Sequence, residues 1–302
     1  MRVAVIGSYG VGITMRVPRI PVAGETLPGA TFASGHGGKG SNQAVQASRL
    51  GADVMLLTAV GDDPMGQAGR DLWAGEGIDA SSVVTAPAAT MAGVILVEPS
   101  GENRIVIATG ALDHLRPEHV EALADRLAAA DVAVVSMEIP LPTVVAALRV
   151  AHDVGTTTLL NPAPAQRFPD QAWPYVDVLT PNRTEAAILL GHDPGGPESV
   201  EDLACALRER SGATVVLTRG GEGALICDEH GLTAVPAVKV PEVVDTTGAG
   251  DAFTAGLAVE LAAGRTVLDA AAFAARVGAY VVARHEVIPA LPHRSDLDPS
   301  EG

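Results

Sequence analysis

A chain of 302 residues that is 47% hydrophobic can bury a large core, as one large domain or as one domain with a small appendage. Its formal charge of −16 and pI near 4.8 argue against nucleic acid or an anionic membrane as a partner, because both need basic surface. Met1–Gly7 carries one charge and only a short apolar run, a strand rather than a signal peptide, and no run reaches the roughly 18 apolar residues of a membrane span. The cytoplasm is therefore the expected location. Cys205 and Cys227 each lie in an apolar run without a local Cys or His cluster, which predicts small buried residues in a reducing compartment rather than a disulfide or metal ligands.

Along the chain, short β-branched runs alternate with longer helical patterns. Strands are predicted at Val3–Ile6, Val54–Ala59, Val132–Ser136, Thr156–Leu160, Val176–Thr180 and Thr214–Thr218. Helices are predicted at Asn42–Leu50, Met65–Ala74, Pro117–Ala130, Leu141–Val154, Arg183–Leu190, Val200–Arg210, Ala252–Ala263 and Val267–Ala283. This order implies an α/β fold: a doubly wound, mainly parallel sheet covered on both faces, with ligands at the carboxyl ends of its strands. Two interruptions break the alternation. Ile13–Phe32 contains Pro18, Pro21 and Pro28 and reads as extended pieces joined by turns, whereas Ala92–Ala108 flanks Ser100-Gly101-Glu102-Asn103 with apolar runs, a hairpin signature. Together they could form a small antiparallel lid, over about residues 13–35 and 92–108, that excludes water from a transferable phosphoryl group.

The motifs carry unequal weight. Gly7-Ser8-Tyr9-Gly10-Val11-Gly12 follows a strand, but its glycine spacing is not that of a dinucleotide fingerprint and the prolines after it cannot start the expected helix. In Gly35–Gln43 the glycines let a ligand approach the backbone, and Lys39 and Asn42 offer donors at a helix start. Lys39 is followed by Gly40 rather than Ser or Thr, so the loop is not a Walker A loop. VDTTGAGDAF, Val244–Phe253, places the turn Gly248-Ala249-Gly250 before a helix opening at Asp251-Ala252-Phe253, so that free backbone N–H groups and one carboxylate converge. An anion hole beside a base is what phosphoryl transfer to an alcohol needs. In that helix Phe253, Leu257 and Leu261 form the apolar stripe, with Glu260 off it and Gly264 at the C-terminal cap. Thr266 with Asp269 starts the next helix.

GGKGSNQAV (Gly37–Val45), NPAPA (Asn161–Ala165), PNRTE (Pro181–Glu185), TRGGEG (Thr218–Gly223) and DTTGAGDAF (Asp245–Phe253) occur in the order and spacing of the ribokinase-like carbohydrate kinases, across some 290 residues. The sequence resembles that family, and within it the ribokinase branch. The resemblance implies one kinase domain over 1–302 with a β lid, a homodimer through paired lids, and ATP with Mg²⁺ as cofactors. It makes Asp251 the catalytic base and Gly248, Ala249 and Gly250 the anion hole. Gly38, Lys39, Asn42 and Glu138 match acceptor-binding positions, Asn182 and Glu185 the pair that organises phosphate and Mg²⁺, and Thr218, Gly220 and Gly223 the nucleotide loop. Asn182 also suits an N-cap.

Two departures stand out. Where the family has an asparagine and an aspartate that grips two acceptor hydroxyls, this chain has Gly10 and Gly12, with Tyr9 and His36 available to contact a larger group. In the family's monovalent-cation site a glycine and a serine are replaced by Glu286 and Ala290, while Asp245 and Thr247 remain. Either that K⁺ site is lost or Glu286 changes its selectivity. The expected function is ATP-dependent phosphorylation of a sugar or sugar-like alcohol other than plain ribose. A nucleoside kinase, or a non-catalytic sugar- or nucleotide-binding protein on the same fold, are the alternatives.

Overall fold

The computed structural model describes residues 1–100 and 102–297. In chain order the elements are β1 (Arg2–Ile6), β2 (Gly10–Arg16), β3 (Thr31–Gly37), α1 (Lys39–Arg49), β4 (Asp53–Leu57), β5 (Ala59–Gly61), α2 (Pro64–Gly75), β6 (Val84–Ala86), β7 (Met91–Val97), β8 (Asn103–Ala108), α3 (Pro117–Glu121) and α4 (Ala124–Ala128). They continue with β9 (Val132–Ser136), α5 (Leu141–Asp153), β10 (Thr157–Asn161), β11 (Val178–Leu179), α6 (Arg183–Leu190), α7 (Val200–Ser211), β12 (Thr214–Thr218), β13 (Ala224–Asp228), β14 (Gly231–Val235), α8 (Ala249–Ala262) and α9 (Val267–Val282).

The main sheet has the order β14-β13-β12-β11-β10-β9-β1-β4. It is parallel from β4 to β12, and the β13–β14 hairpin extends it antiparallel at one edge. The parallel strands are covered on both faces, which is why β9 reads as an unbroken buried run. Alternation along each strand sorts the side chains into two cores. Ala4, Ile6, Ala133, Val135 and Leu160 pack with Leu148, Leu189 and Leu203 of α5, α6 and α7. Val3, Val5, Val132, Val134 and Leu159 pack on the other face with Val45, Leu257 and Val277 of α1, α8 and α9.

Several elements differ from expectation for identifiable reasons. The helix predicted over Pro117–Ala130 is two short helices, because Leu123 leaves helical backbone values (φ −106°, ψ 12°) while the apolar spacing continues across the break. The strand predicted over Val54–Ala59 divides at Thr58 into β4 and β5, and β5 pairs with β6 outside the main sheet. The last strand positions, β13 and β14, escaped the sequence pattern because β14 is exposed over most of its length and lacks a clean apolar face. Glu260, expected outside an apolar stripe, is buried: α8 is covered almost all round, and the carboxylate is held by Arg294 and faced by Arg265. Gly264 (φ +74°) does follow the last turn, and Thr266 accepts from the N–H of Asp269 at 3.1 Å.

A second sheet, β3-β2-β7-β8, is antiparallel in its outer pairs and parallel between β2 and β7. Gly12 sits between Gly35 and Gly93, so three adjacent strands present a row without side chains that ends at Ile107. Between β7 and β8 Glu98 N–H donates to Glu102 O at 2.9 Å; Gly101, part of the expected hairpin signature, lies outside the described residues.

Candidate active site

Helix α8 begins at Ala249, three residues earlier than the sequence suggests, so Ala249 and Gly250 belong to its first turn rather than to a preceding loop. Gly248 is the N-cap in a left-handed conformation (φ +80°), and a Cβ there would meet Val287 Cγ1 at 2.7 Å. Only glycine fits. The first intrahelical bond runs from Ala252 N–H to Gly248 O at 2.9 Å, which leaves the N–H groups of Gly250 and Asp251 ahead of it in the turn.

Asp251 is only 6% exposed. Asn42 Nδ2 donates to its Oδ2 at 2.8 Å, and Gln43 Nε2 donates to its Oδ1 at 3.3 Å and to Asn161 Oδ1 at 3.1 Å. Burial raises the Asp251 carboxyl above its usual range, opposed by the Lys39 ammonium and the bond from Asn42. A carboxylate biased this way is a stronger base than a solvated aspartate and remains fixed in direction. Gln43 was not singled out by the motifs, although it follows Asn42 directly; neither was a role given to Asn161, whose position at the end of β10 puts it against Gln43.

Helix α1 starts against β1. Gly38 (φ +90°) is its N-cap, and a Cβ there would lie 2.6 Å from Tyr9 Cα. Glu138, just past the end of β9, accepts from the Lys39 backbone N–H at 3.0 Å and from the Ser8 hydroxyl, both at Oε2. Burial works against the charge of Lys39, but the carboxylates of Asp251, Glu138 and Glu185 outweigh it and hold the ammonium above the ordinary lysine range. Lys39, Asn42, Glu138, Glu185 and Asp251 thus share one electrostatic neighbourhood at the carboxyl edge of the sheet.

Asn182 caps α6: its Oδ1 accepts from Glu185 N–H at 2.9 Å, while Glu185 Oε2 accepts from Asn182 N–H at 2.8 Å. Burial raises the Glu185 carboxyl, opposed by that bond and by Lys39. Asn182 also bridges to Thr218, whose N–H donates to Pro181 O at 2.8 Å, bringing the end of β12 beside the start of α6. A single helical turn over Gly220–Glu222 follows, and Gly223 (φ +89°) leads into β13. Among the described residues no three His, Cys, Asp or Glu side chains gather as a metal cage, and on the α6 and β12 side the site carboxylate is Glu185. That donor set fits Mg²⁺ held mainly by phosphate and water rather than by protein.

Asp245 Oδ1 accepts from Thr247 N–H at 2.9 Å, so this carboxylate already closes its own turn. Glu286 is the only non-glycine residue with positive φ (+65°) among those described, a backbone conformation that favours glycine. Ala290 is fully buried.

The acceptor side needs three corrections. Tyr9 is fully buried, edge-on to Trp73 with ring centroids 4.9 Å apart, and its hydroxyl donates to Met65 O at 3.1 Å; it cannot stack on a ligand. His36 Nδ1 lies 3.0 Å from that hydroxyl, and β-strand alternation puts His36, opposite Val11, on the other face from Gly12 and Gly35. Nor is there free volume at Gly10, where a Cβ would meet Met91 Cε at 2.5 Å; at Gly12 the nearest atom would be Gly35 O at 3.9 Å.

A doubly wound sheet with a buried carboxylate at a helix N-terminus on its carboxyl edge describes a class of ligand-binding α/β enzymes, and comparison with known proteins narrows it. Residues 2–294 match the sequence family described as pfkB family carbohydrate kinase. Ribokinase of Haemophilus influenzae is 33% identical over 294 residues, covering 97% of this chain and 95% of that one. Deoxyribokinase of Salmonella typhi is 37% identical over 259 residues, covering 84% and 83%. The structure of Arabidopsis thaliana ribokinase complexed with ribose and ATP superposes with a TM-score of 0.91 at 26% identity, covering 98% and 97%. The chain belongs to the pfkB family of carbohydrate kinases, and its reaction class is phosphoryl transfer to a sugar hydroxyl.

Proposed function

We propose that this protein is an ATP-dependent kinase whose acceptor is a modified sugar or a nucleoside rather than plain ribose. The observation that carries the catalytic half is Asp251, buried at the third position of α8 and aimed by Asn42 and Gln43. In this reading Asp251 takes the proton from an acceptor hydroxyl whose oxygen attacks the γ-phosphorus, and the ADP oxygen leaves. The N–H groups of Gly248 and Gly250 receive the charge that develops, joined by that of Asp251; the Ala249 N–H, expected with them, instead donates to Thr246 O at 3.3 Å. Glu138, Gly38, Lys39 and Asn42 hold other acceptor hydroxyls. Thr218, Gly220 and Gly223 hold the nucleotide. Asn182 and Glu185 would position Mg²⁺, which supplies charge neutralisation on the phosphates when bound. Asp245 and Thr247 are the remaining side of a monovalent-cation site.

The specificity half rests on Gly12. A carboxylate there would grip neighbouring hydroxyls, and charged hydrogen bonds contribute about 1.5–3 kcal/mol each. Without it, the row Gly35–Gly12–Gly93 offers a flat backbone surface beside Ile107, which favours a planar or apolar substituent in place of a diol. We further propose one kinase domain over 1–302 in the cytoplasm, with the second sheet as its lid. Two lids are taken to pair in a homodimer, since Phe32 (66% exposed) and Val106 (72%), on the face opposite Gly12 and Ile107, are large apolar side chains left uncovered.

The test is steady-state kcat/KM for wild type and Gly12→Asp across ribose, other pentoses, hexoses and nucleosides. Wild type is expected to favour a nucleoside or substituted sugar, and Gly12→Asp to gain ribose activity by about one to two orders of magnitude. If ribose is the best acceptor of wild type, this reading of the acceptor fails.

A further inference from the structure

The two cysteines do not lie as the sequence suggested. Cys205, on α7, is exposed, whereas Cys227, in the middle of β13, is buried, and their sulfurs are 3.8 Å apart with the Cys227 thiol pointed at Cys205. Twenty-two positions separate them. The segment between holds the end of α7, all of β12 and the turn Thr218–Gly223. From these positions we propose that Cys205 and Cys227 form a reversible intramolecular disulfide that closes a ring around the nucleotide turn and lowers affinity for ATP.

Access decides the order of events. Burial, followed by the hydrogen bond to Cys205, pushes the Cys227 thiol up to about 11, so Cys227 is a poor first nucleophile. Cys205 meets the oxidant. With a peroxide, the Cys205 sulfur attacks one oxygen, the O–O bond breaks, and a sulfenic acid and water result. The Cys227 sulfur then attacks the Cys205 sulfur, the S–S bond forms, the S–O bond breaks, and the hydroxyl leaves as water with the Cys227 proton. Two thiols and one hydrogen peroxide become one disulfide and two waters; a dithiol reverses the change.

The effect on ATP follows from how tightly β13 is tied to the turn. A disulfide needs sulfurs about 2.05 Å apart, so α7 and β13 must approach each other. Cys227 is paired with Val215 on β12 and Leu232 on β14, so β13 moves with both neighbours. At the turn the Gly223 backbone packs closely on β14: a Cβ there would lie 2.1 Å from Val235 O, so a shift of β14 is felt at the turn. This consequence rests on Thr218–Gly223 being the nucleotide turn; formation of the bond does not.

The experiment treats the whole protein with hydrogen peroxide, blocks remaining thiols with iodoacetamide, and measures mass, cross-linked peptides and the KM values of ATP and acceptor. Expected are the loss of two hydrogens, one peptide joining Cys205 to Cys227, and an ATP KM raised by about fivefold or more with the acceptor KM unchanged. Dithiothreitol should restore the starting state, and Cys205→Ser, an exposed substitution, should abolish both changes. Two thiols still open to alkylation, a sulfinic acid left on Cys205, or a disulfide between two chains would overturn the bond. A fully cross-linked protein with an unchanged ATP KM would overturn the coupling instead, and would point to the turn assignment rather than to the thiol chemistry.

Discussion

Replacing Gln43 by leucine tests whether Asp251 works as an ionised base. Gln43 is fully buried and donates to both Asp251 and Asn161, while its own Oε1 has no partner. Leucine keeps the volume and removes the donor. A hydrogen bond to a charged group contributes about 1.5–3 kcal/mol, and at 3.3 Å this one belongs at the lower end. Since each 1.36 kcal/mol is a factor of ten in the ionisation equilibrium, the fraction of ionised Asp251 on the acidic side should fall by about tenfold. The carboxyl is already raised by burial, so the variant moves it further in the same direction. Accordingly kcat/KM should drop about tenfold on its acidic limb and much less on its plateau, where the base is ionised in both proteins. For stability the sign is separate. A carboxyl raised in the folded state contributes stability fully below its unfolded value, and loses that contribution as pH rises through the folded one. The variant should therefore lose more stability than wild type between acid and neutral pH, beyond the roughly 1–3 kcal/mol for orphaning Asn161 Oδ1, which removal of the orphaned Oε1 partly offsets. The assays are kcat/KM against pH and thermal unfolding at the same pH values. An acidic limb that stays in place in a folded variant refutes the reasoning.

Four further outcomes are expected. Asp251→Asn should lower turnover by about a hundredfold to ten-thousandfold with ATP binding retained, as measured by single-turnover rates and calorimetry; turnover within about tenfold of wild type removes Asp251 from the base role. Glu185→Gln should weaken the dependence on Mg²⁺ concentration and spare the acceptor KM, and a selective loss of acceptor affinity contradicts its placement at the phosphate side. Glu286→Gly should raise stability by about 1 kcal/mol, because the +65° backbone no longer carries a Cβ. In the wild type, exchange of Na⁺ for K⁺ at constant ionic strength should activate weakly, and strong activation would show that Glu286 and Ala290 leave that site intact.

How much was legible in the sequence follows from the period of each element. The parallel core announced itself because β1, β9 and β12 are buried on both faces and read as continuous apolar runs. In the second sheet the β7–β8 hairpin was legible from its apolar flanks, whereas β2 and β3 were visible only as an interruption, since Thr31–Gly37 is mostly exposed and glycine-rich and has no apolar face to count. Asp251 and Lys39 were legible from motif spacing, because glycines and a helix start are local features. Gln43 was not, because its role depends on β10 and α8 meeting α1, 118 and 208 residues away in sequence. Tyr9 misled for the same reason: next to a glycine pair it resembles a ligand contact, yet α2, far along the chain, supplies Trp73 and Met65 to bury it. Cys205 lies in an apolar run that is one turn of a helix, and a run of that kind does not say which side of the turn faces outward.

Gly10 and Gly12 differ in what each would require of a lineage that needed another acceptor. From the glycine codons GGU and GGC an aspartate is one nucleotide away, and a Cβ at position 12 would have no closer neighbour than Gly35 O at 3.9 Å. The strand could take the new side chain without repacking. At position 10 a Cβ would meet Met91 Cε at 2.5 Å and the Met91 backbone O at 2.7 Å, so the family's asparagine requires the β7 backbone to shift as well as its side chain to change. On the proposed reading of Gly12, acceptor preference would rest on a position that accepts a side chain without repacking, while Gly10 could change only together with its neighbours in β7.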